Sequence, residues 1–105
     1  MKFEKEINCR GFAVIHFNDD YNEKCTLQES SACEPHIWLG IAKANPIIMC
    51  SDAQKLELPY AKNANGWQEF EVPEEVFINT RMHLTKRQAR KLAMKLLKFG
   101  LIGRV

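Results

Sequence analysis

The sequence has no acidic residue after position 80, no long apolar run and only five glycines. None of those glycines falls in a G-x-G-x-x-G or G-x-x-x-x-G-K pattern, which excludes the backbone cradles that hold phosphates in dinucleotide-binding and P-loop proteins. No G-x-S-x-G elbow presents a serine nucleophile, and no cysteine sits in a catalytic signature. No apolar stretch approaches the roughly 20 residues that cross a bilayer as a helix. The opening segment, Met1-Lys2-Phe3-Glu4-Lys5-Glu6, has no apolar signal-peptide core, so a cytoplasmic location is expected. In that compartment Cys9, Cys25, Cys33 and Cys50 are expected to be free thiols.

What the sequence does have is segregated charge. Residues 1–80 carry thirteen Asp or Glu and seven Lys or Arg; residues 81–105 carry eight Lys or Arg and no acid. The modest overall charge of +2 hides these two opposed parts. Such asymmetry speaks of partners rather than of a reaction. At 105 residues, 46% of them hydrophobic, the chain is expected to be one domain with a modest core. Chains of this size often gain stability by self-association. A homo-oligomer, a dimer through the sheet edge or the final helix, is therefore expected.

The residue pattern predicts an α+β fold. Gly11–Phe17 and Lys24–Ser31 read as a hairpin around the turn-prone Asn18–Asn22 segment. In the second strand Cys25 and Leu27 share one face, and Thr26, Gln28 and Ser30 share the other. His36–Ala42 reads as a third strand, with Trp38 opposite Ile37, Leu39 and Ile41. Residues 43–66 are mostly polar and are expected as a long surface excursion, with at most a short strand at Pro46–Cys50. Trp67–Val72 and Val76–Leu84 complete a mainly antiparallel sheet of four to five strands. Thr85 with Gln88 fits a capping box and opens an amphipathic helix over 86–99, with Gly100 as its stop. Ala89, Leu92, Ala93, Leu96 and Leu97 form its apolar stripe, which is expected to pack on the sheet.

Two surfaces carry chemistry. On the arc opposite that stripe lie Lys86, Arg87, Arg90, Lys91, Lys95 and Lys98, with Met94 among them. Such a face contacts phosphates or an acidic protein, or it is simply solvated. The other surface is polar and strand-borne. If the strand bearing Gln28 lies beside the one bearing Arg81, then Gln28, Ser30, Ser31, Arg81 and His83 share a hollow suited to a carboxylate or phosphate. The Arg81 fork would bind two oxygens at once, and Trp38 would offer a ring to stack on. The same residues also read as the ordinary solvent side of an antiparallel sheet. A metal is not expected, because only Cys33-x₂-His36 has ligand spacing and no second pair accompanies it; no cofactor is expected either. Serines, cysteines and histidines are present, but no arrangement of them names a catalytic step.

The run Cys25-Thr26-Leu27-Gln28-Glu29-Ser30-Ser31, then Ile37-Trp38-Leu39-Gly40, Gly66-Trp67, Pro73-Glu74-Glu75 and Arg81-Met82-His83-Leu84-Thr85, resembles a family of small phage and prophage proteins without established activity. The resemblance covers most of residues 11–103. It implies an accessory protein acting in the host bacterial cytoplasm, of the kind that counters host defence by occupying a host protein or sequestering a nucleotide signal. The resulting expectation is a non-enzymatic binder of a small phosphate-bearing ligand. The alternatives are a protein-directed inhibitor docking its basic helix face on an acidic host protein, and a nucleic-acid binder using that same face.

Overall fold

The computed structural model describes the whole chain, Met1–Val105. The chain forms two compact units: Met1–Lys43 together with Thr80–Val105, and Ala44–Asn79 between them in sequence. No helix is long and apolar enough to cross a membrane.

The first unit is a five-stranded sheet followed by a long helix, an α+β arrangement. Its strands are β1 (Glu4–Ile7), β2 (Ala13–Asn18), β3 (Lys24–Glu29), β4 (His36–Ile41) and, after the second unit, β7 (Arg81–Thr85). The order is β1-β2-β3-β4-β7, with every neighbouring pair antiparallel. The β2–β3 turn forms because the Asp19 carboxylate accepts from the backbone N–H groups of Tyr21 and Glu23, at 2.9 Å each. Asn22 then takes the left-handed conformation at φ 62°, which its short polar side chain tolerates. Strand β1 is not apparent in the sequence. Its alternating Glu-Lys-Glu gives no apolar signal and suits an edge, where charge discourages pairing with other chains.

The register separates two faces. Ile15, Leu27, Leu39 and Met82 lie in one cross-strand row, and Phe17, Cys25 and Ile41 in the next. The opposite face carries Glu6, His16, Thr26, Gln28, Trp38, Arg81 and His83. Only Val14, Cys25 and Thr26 are buried in this unit.

Helix α2 (Lys86–Ile102) begins as its sequence predicts. Thr85 Oγ1 accepts from the Gln88 N–H at 3.1 Å, and Gln88 Oε1 accepts from the Thr85 N–H at 3.0 Å. The predicted stop at Gly100 is not used; the helix runs to Ile102 and ends at Gly103, φ 70°. A glycine inside a helix costs about 1 kcal/mol, too little to halt one that can reach a better left-handed stop. The helix meets β7 and β4, and Ala89 and Leu92 are half-buried while none of its residues is fully buried.

The second unit contains β5 (Ile47–Met49), helix α1 (Cys50–Lys55) and β6 (Trp67–Glu69), with β5 and β6 paired antiparallel. Residues 43–66 are thus more ordered than an excursion: Cys50 and Ala53 of α1 are 2% and 0% exposed. The buried Gln68 amide is satisfied, accepting from Lys62 N–H at 2.9 Å and donating to the Tyr60 carbonyl at 3.3 Å. Residues 76–80, expected to begin the last strand, are irregular.

Candidate functional site

Two strands that the site needs are not side by side. Strand β4 separates β3 from β7, which corrects the expectation that the Gln28 and Arg81 strands pair directly. The two side chains still meet, because the residue of β4 opposite Arg81 is Gly40. With no side chain there, the guanidinium reaches across β4, and its Nη1 donates to Gln28 Oε1 at 2.8 Å. A Cβ at position 40 would collide with the Thr80 carbonyl oxygen and lie 2.7 Å from Arg81 Cα. Glycine is therefore required both for β7 to close on β4 and for the crossing.

Further along the strands the same reach recurs. His83 Nε2 and Ser30 Oγ are 2.8 Å apart. His83 lies opposite Trp38 in the β4–β7 register, and their rings stack with centroids 4.0 Å apart and planes 22° apart. His36 stacks on His83 at 4.7 Å and 21°. The Arg81 guanidinium carbon lies over the Trp38 ring, 5.3 Å from its centroid, a cation–π geometry. These groups form a column of planar side chains, in the order His36, His83, Trp38, Arg81. Gln28 of β3 and Ser30, the residue just past its end, tether its members from the side. His36 is fixed in turn by a 2.8 Å contact between Nδ1 and the Glu34 carbonyl oxygen.

Of the residues singled out in the sequence, Gln28, Ser30, Trp38, Arg81 and His83 come together. Ser31 is exposed and outside this network. Trp38 is not a vacant stacking surface, since Arg81 and His83 already lie against it. His36 was not anticipated as a member; its position two residues from Trp38, on the same strand face, was the available signal. Thr26 was noted only for its face. It is 7% exposed and its Oγ1 has no hydrogen-bond partner, an uncommon condition for a buried hydroxyl.

A hollow of about 410 Å³ opens at the His36 end of the column. Ser30 and His36 line it, together with the apolar Pro35, Ile37, Leu84 and Ala89, and one charge of each sign, Glu29 and Lys86. Its size falls within the range of small-ligand sites. Arg81, Gln28 and Trp38 are not part of its lining.

The cations Lys86, Arg87, Arg90, Lys91, Lys95 and Lys98, with Met94, are all exposed along α2. None of them is paired with an acidic side chain, and Lys98 Nζ donates to the Val105 oxygen at 3.3 Å. Nucleophile chemistry has little support. Cys25 is buried on the apolar face, and its thiol is pushed above the ordinary value, first by burial and then by the Asp19 and Glu23 carboxylates. That disfavours the reactive thiolate. No three His, Cys, Asp or Glu side chains are grouped so as to hold a metal ion.

No protein-family model matches this sequence, and no curated protein or solved structure matches it either.

Proposed function

We propose that the polar sheet face captures an elongated, ring-bearing anion of the nucleotide type without turning it over. The observation that supports this reading is the column itself: a cation, Arg81, at one end and an apolar-lined hollow at the other, His36, end. A ligand laid along it meets the Arg81 charge at one end and, beyond His36 at the other, a hollow that also takes in Ile37 and Leu84 of the opposite face. Gln28, which accepts from Arg81 Nη1 at 2.8 Å, is a neutral amide. An incoming phosphate takes over the fork with two oxygens, a charge-assisted pairing stronger than a neutral amide offers. The Gln28 amide and the Ser30 hydroxyl then supply directional hydrogen bonds, and Lys86 stands at the hollow as the counterpart of Glu29. Such capture is what a counter-defence protein acting on a nucleotide signal would need. Direct nucleic-acid binding is the weaker reading, because the thirteen acids of residues 1–80 oppose a polyanion.

Calorimetry with mono-, di- and cyclic nucleotides tests this. Wild-type protein binds at least one class. Arg81→Ala weakens it by tenfold or more, with the far-UV circular dichroism of the folded protein unchanged. Arg81→Lys recovers only part of the affinity, since a point charge lacks the fork. Equal affinity of Arg81→Ala and wild type removes Arg81 as the anion holder, and absence of binding across the panel removes the reading.

A further inference from the structure

We infer that the second half of α2, Leu96–Ile102, docks on the apolar sheet face of a second copy of this chain, reciprocally, in a two-fold dimer. The first ground is area. The chain exposes 8971 Å². A folded monomer of 12.2 kDa exposes about 6,100 Å². Two separate bodies of the sizes of the two units would together expose about 7,200 Å², so the excess does not depend on how those units are arranged. It is about 1,800 Å² per chain on the two-body reference. A standard interface covers about 800 Å² of each partner, and permanent ones roughly 1,000–2,500 Å². The unsatisfied surface is therefore of the size that a permanent dimer removes.

The second ground is a concentration of exposed apolar side chains on one helix. Leu96, Leu97, Phe99, Leu101 and Ile102 are 54–76% exposed. Met94, Leu97, Leu101 and Ile102 already border a shallow apolar groove with the Lys98 stem. In the sheet, the row Ile15, Leu27, Leu39 and Met82 has no buried member. The dimensions agree. The seven residues Leu96–Ile102 span about 10 Å, which two strand spacings of about 4.8 Å accommodate.

Charge selects the occupant and the mode. A helix docked on another copy's sheet brings the cations of α2 against the sheet-forming residues 1–43, which carry seven Asp or Glu and five Lys or Arg. Pairing α2 with α2 alone would set six cations against six. Edge-to-edge pairing through β1 is opposed by Glu4, Lys5 and Glu6, and Glu6 is engaged by His16 at 2.7 Å. Two-fold symmetry satisfies both copies at once, since each gives a helix and receives one. The apolar face is used in this assembly, which leaves the polar face with its ring column free of the dimer contact.

Light scattering on full-length protein after size exclusion, at tens of micromolar, reads the mass directly. The expected value is twice 12.2 kDa. Leu97→Glu with Leu101→Glu raises the dissociation constant about a hundredfold, read as dissociation at about a hundredfold higher protein concentration in a dilution series, with sheet dichroism retained. A photo-crosslinking benzoylphenylalanine in place of Leu97 attaches to the peptides bearing Leu27 or Leu39 of the other copy. Attachment to the other copy's α2 overturns the docking mode. A monomeric wild type overturns the dimer whatever the variants do, and leaves α2 to a separate acidic partner.

Discussion

Helices α1 and α2 are held by opposite means. Helix α1 has six residues, too few to persist on local bonds alone, and no side chain caps its start. It exists because Cys50 and Ala53 are sealed within the second unit. Its end is a Schellman arrangement: Leu58 N–H donates to the Ala53 carbonyl at 3.1 Å and Glu57 N–H to the Gln54 carbonyl at 3.0 Å. Helix α2 has seventeen residues, a capping box and a glycine stop, and buries none of its residues. Its local signals are strong enough to form a helix before anything covers its stripe. One helix is thus a product of packing, and the other a helix awaiting packing.

The contrast breaks most readily at Ala53. With 0% exposure there is no room for a larger side chain. Ala53→Leu is expected to destabilise the second unit by about 3 kcal/mol. Met94→Leu, on the exposed arc of α2, changes stability by less than about 0.5 kcal/mol. Hydrogen exchange at Cys50–Leu58 amides, compared with amides of β2 and β3, reads the first effect locally. Equal protection in wild type and Ala53→Leu would mean that α1 does not depend on that contact.

A smaller effect is expected at Thr85. Removing its hydroxyl leaves the Gln88 N–H without its side-chain acceptor. Thr85→Ala is expected to cost about 1 kcal/mol, visible as lost helical dichroism and as faster exchange in the first turn of α2. Because α2 rests on local signals, this loss should appear even at protein concentrations where no second copy is bound. An unaffected first turn would show that tertiary packing, not the cap, holds it.

These two helices also explain what the sequence made legible. The α2 start was readable because Thr85 and Gln88 act on their own neighbours. The faces of β3 and β4 were readable because alternation is local, and so Gln28, Trp38 and Ser30 were assigned to the correct side. The α1 helix was missed because its cause, burial of Cys50 and Ala53, lies in residues distant along the chain. The insertion of β4 between β3 and β7 was missed for the same reason: nothing local in Gln28 or Arg81 announces which strand separates them. That the pair meets anyway depends on Gly40, whose significance appears only once β7 is seen lying against it. Likewise, the stop at Gly103 rather than Gly100 depended on which glycine could turn left-handed, and Gly100 continues the helix.

The ends of the two helices sharpen the comparison further. Helix α2 ends on Gly103 at φ 70°, whereas α1 is followed by Glu57 at φ 54°. A side chain in that left-handed region costs about 1–2 kcal/mol. Glycine would remove that cost but gives back about 0.5–1 kcal/mol through the greater freedom of the unfolded chain. Glu57→Gly is therefore expected to stabilise the second unit by about 0.5 kcal/mol, a rise of about 3 °C in melting temperature for a domain of this size. The mirror substitution, Gly103→Ala, introduces the strain that Glu57 already carries and should cost about 1 kcal/mol at the end of α2. Differential scanning calorimetry of the two variants reads both signs. A gain at 57 with a loss at 103 means that α1 tolerates a strained end because burial holds it, while α2, lacking burial, needs an end without strain. A loss at 57 would instead show that the glutamate side chain contributes to the turn more than its backbone costs.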